Sequence, residues 1–163
     1  MNPPVPPDSV PGAGHGIPAN RFNVHCWITG QPHIGEGTWI GAFTLIDGQG
    51  GLSIGRGCDI STGAQILTHS TARRCVTERR YPLIDRRPTV IEDHVFIGTN
   101  AVILMGAHIG HHSVIGAGAV VLEDTIIPPY SLVVGIPGRV VRTLIEDIER
   151  WAATADGLST HAA

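Results

Sequence analysis

VIEDHVFIGTNAVILMGAHIGHHSVIGAGAVV, residues 90 to 121, sets a branched aliphatic residue at every sixth position: Ile91, Ile97, Ile103, Ile109, Ile115 and Val121. A second signal runs in phase with the first, a small or short side chain four positions later: Val95, Ala101, Ala107, Ser113, Ala119 and Thr125. A period of six fits neither an amphipathic helix at 3.6 nor an ordinary hairpin meander, although a short strand with alternate residues inward fits inside it. The pattern predicts one short strand and one tight turn per hexad, with the aliphatic residue inward and the small residue easing the corner. Three such sides close a coil of about 18 residues, and coils stack at the strand spacing of roughly 4.8 Å.

The same spacing extends outward in both directions. Upstream stand Ile28, Ile34, Ile40, Ile46, Ile54, Ile60 and Ile66, and downstream Ile127 and Val133, so the chain counts out as about five coils. Two breaks interrupt it. One is a two-residue excess in DGQGGLS, residues 47 to 53. The other is a long opening after His69 that holds Arg73, Arg74, Arg79, Arg80, Arg86 and Arg87. The expected division is a proline-rich arm over residues 1–20, a coiled domain over 21–142 with an insertion at 71–88, and a helix and tail over 143–163. Helical spacing of Val141, Leu144, Ile145, Ile148 and Trp151 predicts a short C-terminal α-helix packed on the last coil, with a loose tail from Thr154.

Composition narrows the function classes. At 163 residues and 42% apolar content, the chain is sized for one domain with a buried core. Net charge is −3, and all 11 basic residues are arginine. That balance gives no reason to expect a nucleic-acid partner, and the positive charge is concentrated in the opening. Cys26, Cys58 and Cys75 are odd in number and lack CxxC spacing, which argues against a disulfide framework and fits a reducing cytoplasm. The first residues do not read as a secretory signal, and no apolar run is long enough to cross a membrane.

His69 stands at the edge of the opening. Folding the hexads three to a coil puts the side that begins at Ile66 directly above the side that begins at Ile46, so Asp47 and the irregular DGQGG lie beneath His69. Met105 and Gly106 come on the other side. A histidine with an acid, backbone groups and open space around it suits a general base better than a core position, and Asp47 or a nearby carbonyl would fix its tautomer. His108, His111 and His112 also cluster, but the last two fall at the turn of IGHHSV and read as surface residues rather than metal ligands. Cys75 lacks a histidine in sequence reach, which argues against a nucleophile.

The hexads from about residue 27 to 142 resemble the hexapeptide-repeat acyltransferases. That resemblance implies a left-handed parallel β-helix, a hand opposite to the general rule for parallel crossovers. THS at 68–70 is similar to the Thr-His-Pro or Gly-His-Pro element of the maltose and galactoside acetyltransferases, whose histidine is the catalytic base. The quoted stretch, followed by IPPYSLVVGIPGRVVR, is similar to their C-terminal half. IDGQGGLSIG together with THS looks closer to sugar acetyltransferases of polysaccharide biosynthesis. The resemblance implies acetyl-CoA as acyl donor, no metal, and a homotrimer with each active site between two subunits. It carries cofactor-binding roles to Phe96, Thr99 and Ala117 along the pantetheine arm and to Arg139 and Arg142 near the 3′-phosphate. Loop arginines Arg73, Arg74, Arg79 and Arg80 would reach over a site and suggest an anionic sugar acceptor. Three departures stand out: Leu122-Glu123 replaces Thr-Lys, Gly138 replaces alanine, and an asparagine expected near Gly41 to Phe43 is missing. Two rival readings stay open, a non-catalytic β-helix scaffold and a γ-class carbonic anhydrase. The second lacks its paired-histidine signature here.

Overall fold

The computed structural model describes residues 20–159, so the proline-rich arm and the last residues of the tail lie outside the described part. The hexads form a parallel β-solenoid with three faces. On the first face, strands Trp27–Gly30, Leu45–Gly48, Gln65–Ile66, Val102–Ile103 and Val120–Val121 stack in that order. His33–Ile34, Leu52–Ile54, Thr89–Ile91, His108–Ile109 and Ile126–Ile127 make the second face. Trp39–Ile40, Asp59–Ile60, Phe96–Ile97, Val114–Ile115 and Ser131–Val134 make the third. Five parallel strands per face match the coil count expected from the repeat.

Register explains why the period is strict. Ile46 pairs with Ile66 and Ile66 with Ile103, so the inward aliphatics of one face form a continuous column. Ten isoleucines from Ile40 to Ile115 are at most 1% exposed, and burying each stabilises the coil by about 1.5–3 kcal/mol. The small residues point inward as well: Thr44, Cys58, Ala64, Ala101, Ala107, Ser113 and Ala119 are buried where the corners narrow. A one-residue slip would turn each column outward, which pins every corner in place.

Two segments differ from expectation. Residues 139–143 form a strand, Arg139–Thr143, antiparallel to Ser131–Val134 on the third face, so Val141 lies on a strand and not on the helix. Helix α1, Ala72–Val76, lies inside the insertion, and helix α2 runs over Ile145–Ser159, which makes residues 154–159 helical where a loose tail was expected. Leu144 is buried just before α2, while Ile145 and Trp151 stay exposed. The helical spacing was real, and it began one strand later than read. The insertion is folded too: His69–Ser70 pairs antiparallel with Asp85–Arg86, closing it into a ribbon at its base.

Candidate active site

The site starts from the two-residue excess after Asp47. Gly50 lets the chain pass close beneath Thr68, since a β-carbon on Gly50 would lie 2.0 Å from the Thr68 carbonyl oxygen. The resulting bend wraps Asp47 in donors. Its Oδ1 accepts the Gln49 N–H at 3.0 Å, and its Oδ2 accepts the Thr68 N–H at 2.8 Å. The Thr68 hydroxyl lies 2.8 Å from the same Oδ2 and accepts the Gly50 N–H. Asp47 is 2% exposed. Burial is the largest single influence and opposes ionisation, but the Gln49 and Thr68 amides, the Thr68 hydroxyl and His69 together outweigh it and hold the carboxyl down at about 2.

His69 Nδ1 lies 2.6 Å from Asp47 Oδ2. An ionised carboxylate only accepts, so Nδ1 carries a proton, and in the neutral imidazole Nε2 is then the nitrogen with the lone pair. The imidazole is about one-third exposed, 32% by side-chain area, so Nε2 can reach a substrate from the surface. This pair sits at the corner between the first and second faces, with Asp47 in the second coil and His69 in the third. Behind it, the Arg87 N–H donates to the Thr68 carbonyl at 3.1 Å. The Arg87 guanidinium ion-pairs with Glu123 and, at 2.9 Å, with Asp124. Glu123, standing where the resemblance implies lysine, is thereby matched by an arginine of the insertion.

The loop arginines are not equivalent. Arg73 is bound to Asp85 through Nε at 2.8 Å, touches the Tyr81 hydroxyl at 3.1 Å, and lies over the Tyr81 ring at 4.4 Å. Its guanidinium braces the loop. Arg74 and Arg79, with Thr71, Cys75 and Glu78, line a cavity of about 390 Å³. Neither they nor Arg80 forms an ion pair among the described residues. No spacing rule pointed to Asp85 or Tyr81, because the insertion has no period.

Phe96, Thr99 and Ala117 are exposed. Phe96 lies on the third face, and Thr99 and Ala117 lie in successive coils at the corner between the third and first faces. Arg139 and Arg142 lie on the added strand, and Arg142 ion-pairs with Asp147. One chain therefore does not bring its histidine and its expected cofactor residues together: the whole first face separates their corners.

The other histidines make a separate group. His94, His112 and Tyr130 stack up the corner between the second and third faces with centroids 5.1 and 5.2 Å apart. His111 Nδ1 meets His112 Nδ1 at 2.9 Å, and His108 Nε2 meets Glu92 Oε1 at 2.7 Å. Among the described residues, no three His, Cys, Asp or Glu side chains are arranged to hold a metal ion. Cys26 and Cys58 are buried with their thiols pushed up by that burial, and Cys75 is exposed. No helix of the described residues is long and apolar enough to cross a membrane.

Known proteins share this construction. Residues 33–67 and 88–123 match the family model described as hexapeptide repeat of succinyl-transferase. A serine acetyltransferase of Bacillus subtilis is 40% identical over 108 residues, 66% of this chain and 46% of that protein. A 2,3,4,5-tetrahydropyridine-2,6-dicarboxylate N-acetyltransferase of Brevibacillus brevis is 50% identical over 60 residues, 37% of this chain and 25% of that one. The chain thus spans half or less of the length of these curated relatives. A hexapeptide-repeat-containing acetyltransferase of Vibrio cholerae is similar over more of its length. Complexed with acetyl coenzyme A it is 36% identical with a TM-score of 0.62, covering 74% of this chain and 64% of that one. A second structure of it is 33% identical with a TM-score of 0.56 and covers 73% and 70%. With the same repeat in the sequence, the same coil in the structure and a third of the residues shared over most of both chains, this chain belongs to the hexapeptide-repeat acyltransferase family.

Proposed function

We propose that the protein transfers an acetyl group from acetyl-CoA to a hydroxyl or amine of a sugar, nucleotide sugar or polysaccharide precursor, with His69 as general base. The observation that carries this reading is the 2.6 Å contact between His69 Nδ1 and a buried, ionised Asp47. His69 Nε2 takes the acceptor's proton as the acceptor oxygen or nitrogen attacks the thioester carbonyl. A carbon–oxygen or carbon–nitrogen bond forms, the carbon–sulfur bond breaks, and the same proton returns to the departing thiolate. Attack is direct, so no acyl-enzyme is needed and the exposed Cys75 has no part.

The site is completed by a second copy. Outward residues of the first face are largely apolar, with Trp27 and Leu122 exposed and Leu45, Val102, Leu104 and Val120 half-buried. That face lies between the His69 corner and the Thr99–Ala117 corner. Packing three first faces around a common axis brings the His69 corner of one chain against the cofactor corner of the next. The test is twofold. Acetyl-CoA turnover with a panel of charged and neutral sugars should release thiol only when an acceptor gains an acetyl mass. Sedimentation should give three times the chain mass. A monomer that still turns over removes the composite site, and no transfer to any sugar removes the acceptor class.

An anionic acceptor finds its free cations in Arg74, Arg79 and Arg80, with Arg73 held by Asp85. Replacing those three with alanine should lower acceptor kcat/KM roughly tenfold or more, since charge-assisted contacts contribute about 1.5–3 kcal/mol each. Raising ionic strength should reproduce part of the loss in the wild type. Equal use of a charged sugar and its neutral counterpart, without salt response, would leave these arginines as surface charge.

At the far end of the cofactor corner, Arg139 and Arg142 suit the 3′-phosphate through their planar guanidinium forks. Their double alanine variant should raise KM for acetyl-CoA more than for acetyl-dephospho-CoA. An equal rise for both donors would place the arginines away from that phosphate.

A further inference from the structure

We propose that Phe43, with His25 and Trp39, forms an aromatic shelf on which the base of a nucleotide-linked acceptor stacks. This rests on the acyltransferase reading and names the acceptor's class. Phe43 occupies the corner between the third and first faces with φ of +60° and is 72% exposed. Equivalent positions in later coils are Gly63, Asn100 and Gly118, all at positive φ. Glycine and asparagine tolerate that conformation, and a phenylalanine in it is unfavourable in backbone and in solvation alike.

The ring is nevertheless held. His25 stacks against it with centroids 5.7 Å apart and planes at 26°, while the Phe43 N–H donates to the His25 carbonyl at 2.8 Å. Trp39 is 40% exposed and lies back over the same corner, its Cη2 3.0 Å from where a β-carbon on Gly41 would be. Two aromatic rings and an imidazole thus border a corner where the family resemblance leads one to expect an asparagine.

Position along the solenoid connects this shelf to the chemistry. Descending the corner from the C-terminal end, Arg139 on the added strand comes first, then the row Ala117, Thr99, Thr62 and Ala42, with Phe43 next to the last of them. Thr99 and Phe43 are two coils apart, roughly 10 Å at the usual strand spacing. A donor whose phosphates lie at the arginines points its thioester toward the N-terminal coils. An acceptor whose body continues along that line passes Thr62 and reaches Phe43 beside Ala42. A flat base on the shelf and phosphates on Arg74, Arg79 and Arg80 of the neighbouring chain account for both features with one ligand.

The probes are uridine and thymidine diphosphate, titrated into the full chain by calorimetry and by tryptophan fluorescence. Phe43→Gly is the decisive variant because glycine adopts φ of +60° without strain, so the ring is lost and the turn kept. We expect saturable binding that weakens about tenfold or more in Phe43→Gly and returns to within about twofold in Phe43→Tyr, the scale of one base–aromatic stack. Ile126→Ala, an exposed apolar change on the second face, should bind as the wild type does. Equal affinity in Phe43→Gly and wild type overturns the shelf, as does binding of glucose or of adenosine 3′,5′-bisphosphate there in place of either diphosphate. Acetyl transfer to a nucleotide sugar that is indifferent to Phe43→Gly removes the shelf and leaves the transferase. Phe43-dependent nucleotide binding without transfer to any acceptor does the reverse.

Discussion

His69→Ala and His69→Asn keep the solenoid folded and lower acetyl transfer by on the order of a hundredfold or more, the usual scale for removing a general base. Folding is retained because the imidazole belongs to no column of the core: it is about one-third exposed, and its ribbon partner Arg86 pairs through backbone alone. Asparagine tests the point more sharply than alanine, since it can still donate toward Asp47 and spare the carboxylate a lost partner. Its amide has no basic nitrogen to offer at the Nε2 position. Circular dichroism and sedimentation would report the fold, and steady-state thiol release the activity. If either variant turns over as the wild type does, the proton leaves by another route and His69 is not the base.

The relation of His69 to Asp47 was legible because the solenoid is a counting device. Once the period of six and the three-sided coil are accepted, Ile66 must lie above Ile46, and the residues just beyond them must meet at one corner. What counting could not supply was the lining of that corner. Gln49, Gly50 and Thr68 act through backbone groups bent by the two-residue excess, and a bend has no period. The insertion shows the same limit: six arginines were visible, while their division into braces and free cations depends on Asp85, Tyr81, Glu123 and Asp124. At the C-terminal end, the spacing of Val141, Leu144, Ile145 and Ile148 satisfies a helical period, yet Val141 lies on the strand Arg139–Thr143. That strand is the second arm of a hairpin with Ser131–Val134, turned through Gly135, Pro137 and Gly138, and this local turn signal outranks the helical period. Handedness of the coil likewise came through resemblance and not from the repeat.

Asp47→Asn should be as damaging to catalysis as loss of the histidine and should also change how stability responds to acid. The carboxylate accepts from Gln49, Thr68 and His69 at once, whereas a carboxamide has one acceptor and brings two donors of its own. Its NH₂ turned toward His69 makes Nδ1 the acceptor and moves the ring proton to Nε2, where the base is needed. A fall in kcat of about a hundredfold up to ten-thousandfold follows, by the logic of an Asp-to-Asn change beside a catalytic imidazole. For stability the sign is fixed by the direction of the shift. Asp47 is held at about 2 against an ordinary value of 3.8, so between those values the unfolded chain binds more protons and stability rises with pH. The contribution is complete above the ordinary carboxylate range, is of order 2 kcal/mol there, and disappears as pH falls toward 2. Asp85, Glu92, Asp93 and Asp147 are also held low by their partners, so wild type and variant both lose stability in acid. The informative quantity is the gap between their melting temperatures, which should be wide at pH 6 and close as pH drops from about 4 to 2. A gap that stays constant over that range would mean that folding does not lower the Asp47 carboxyl at all, and a wild type that gains on the variant as pH falls would mean that Asp47 is protonated in the folded protein, which would take the fixed tautomer of His69 with it.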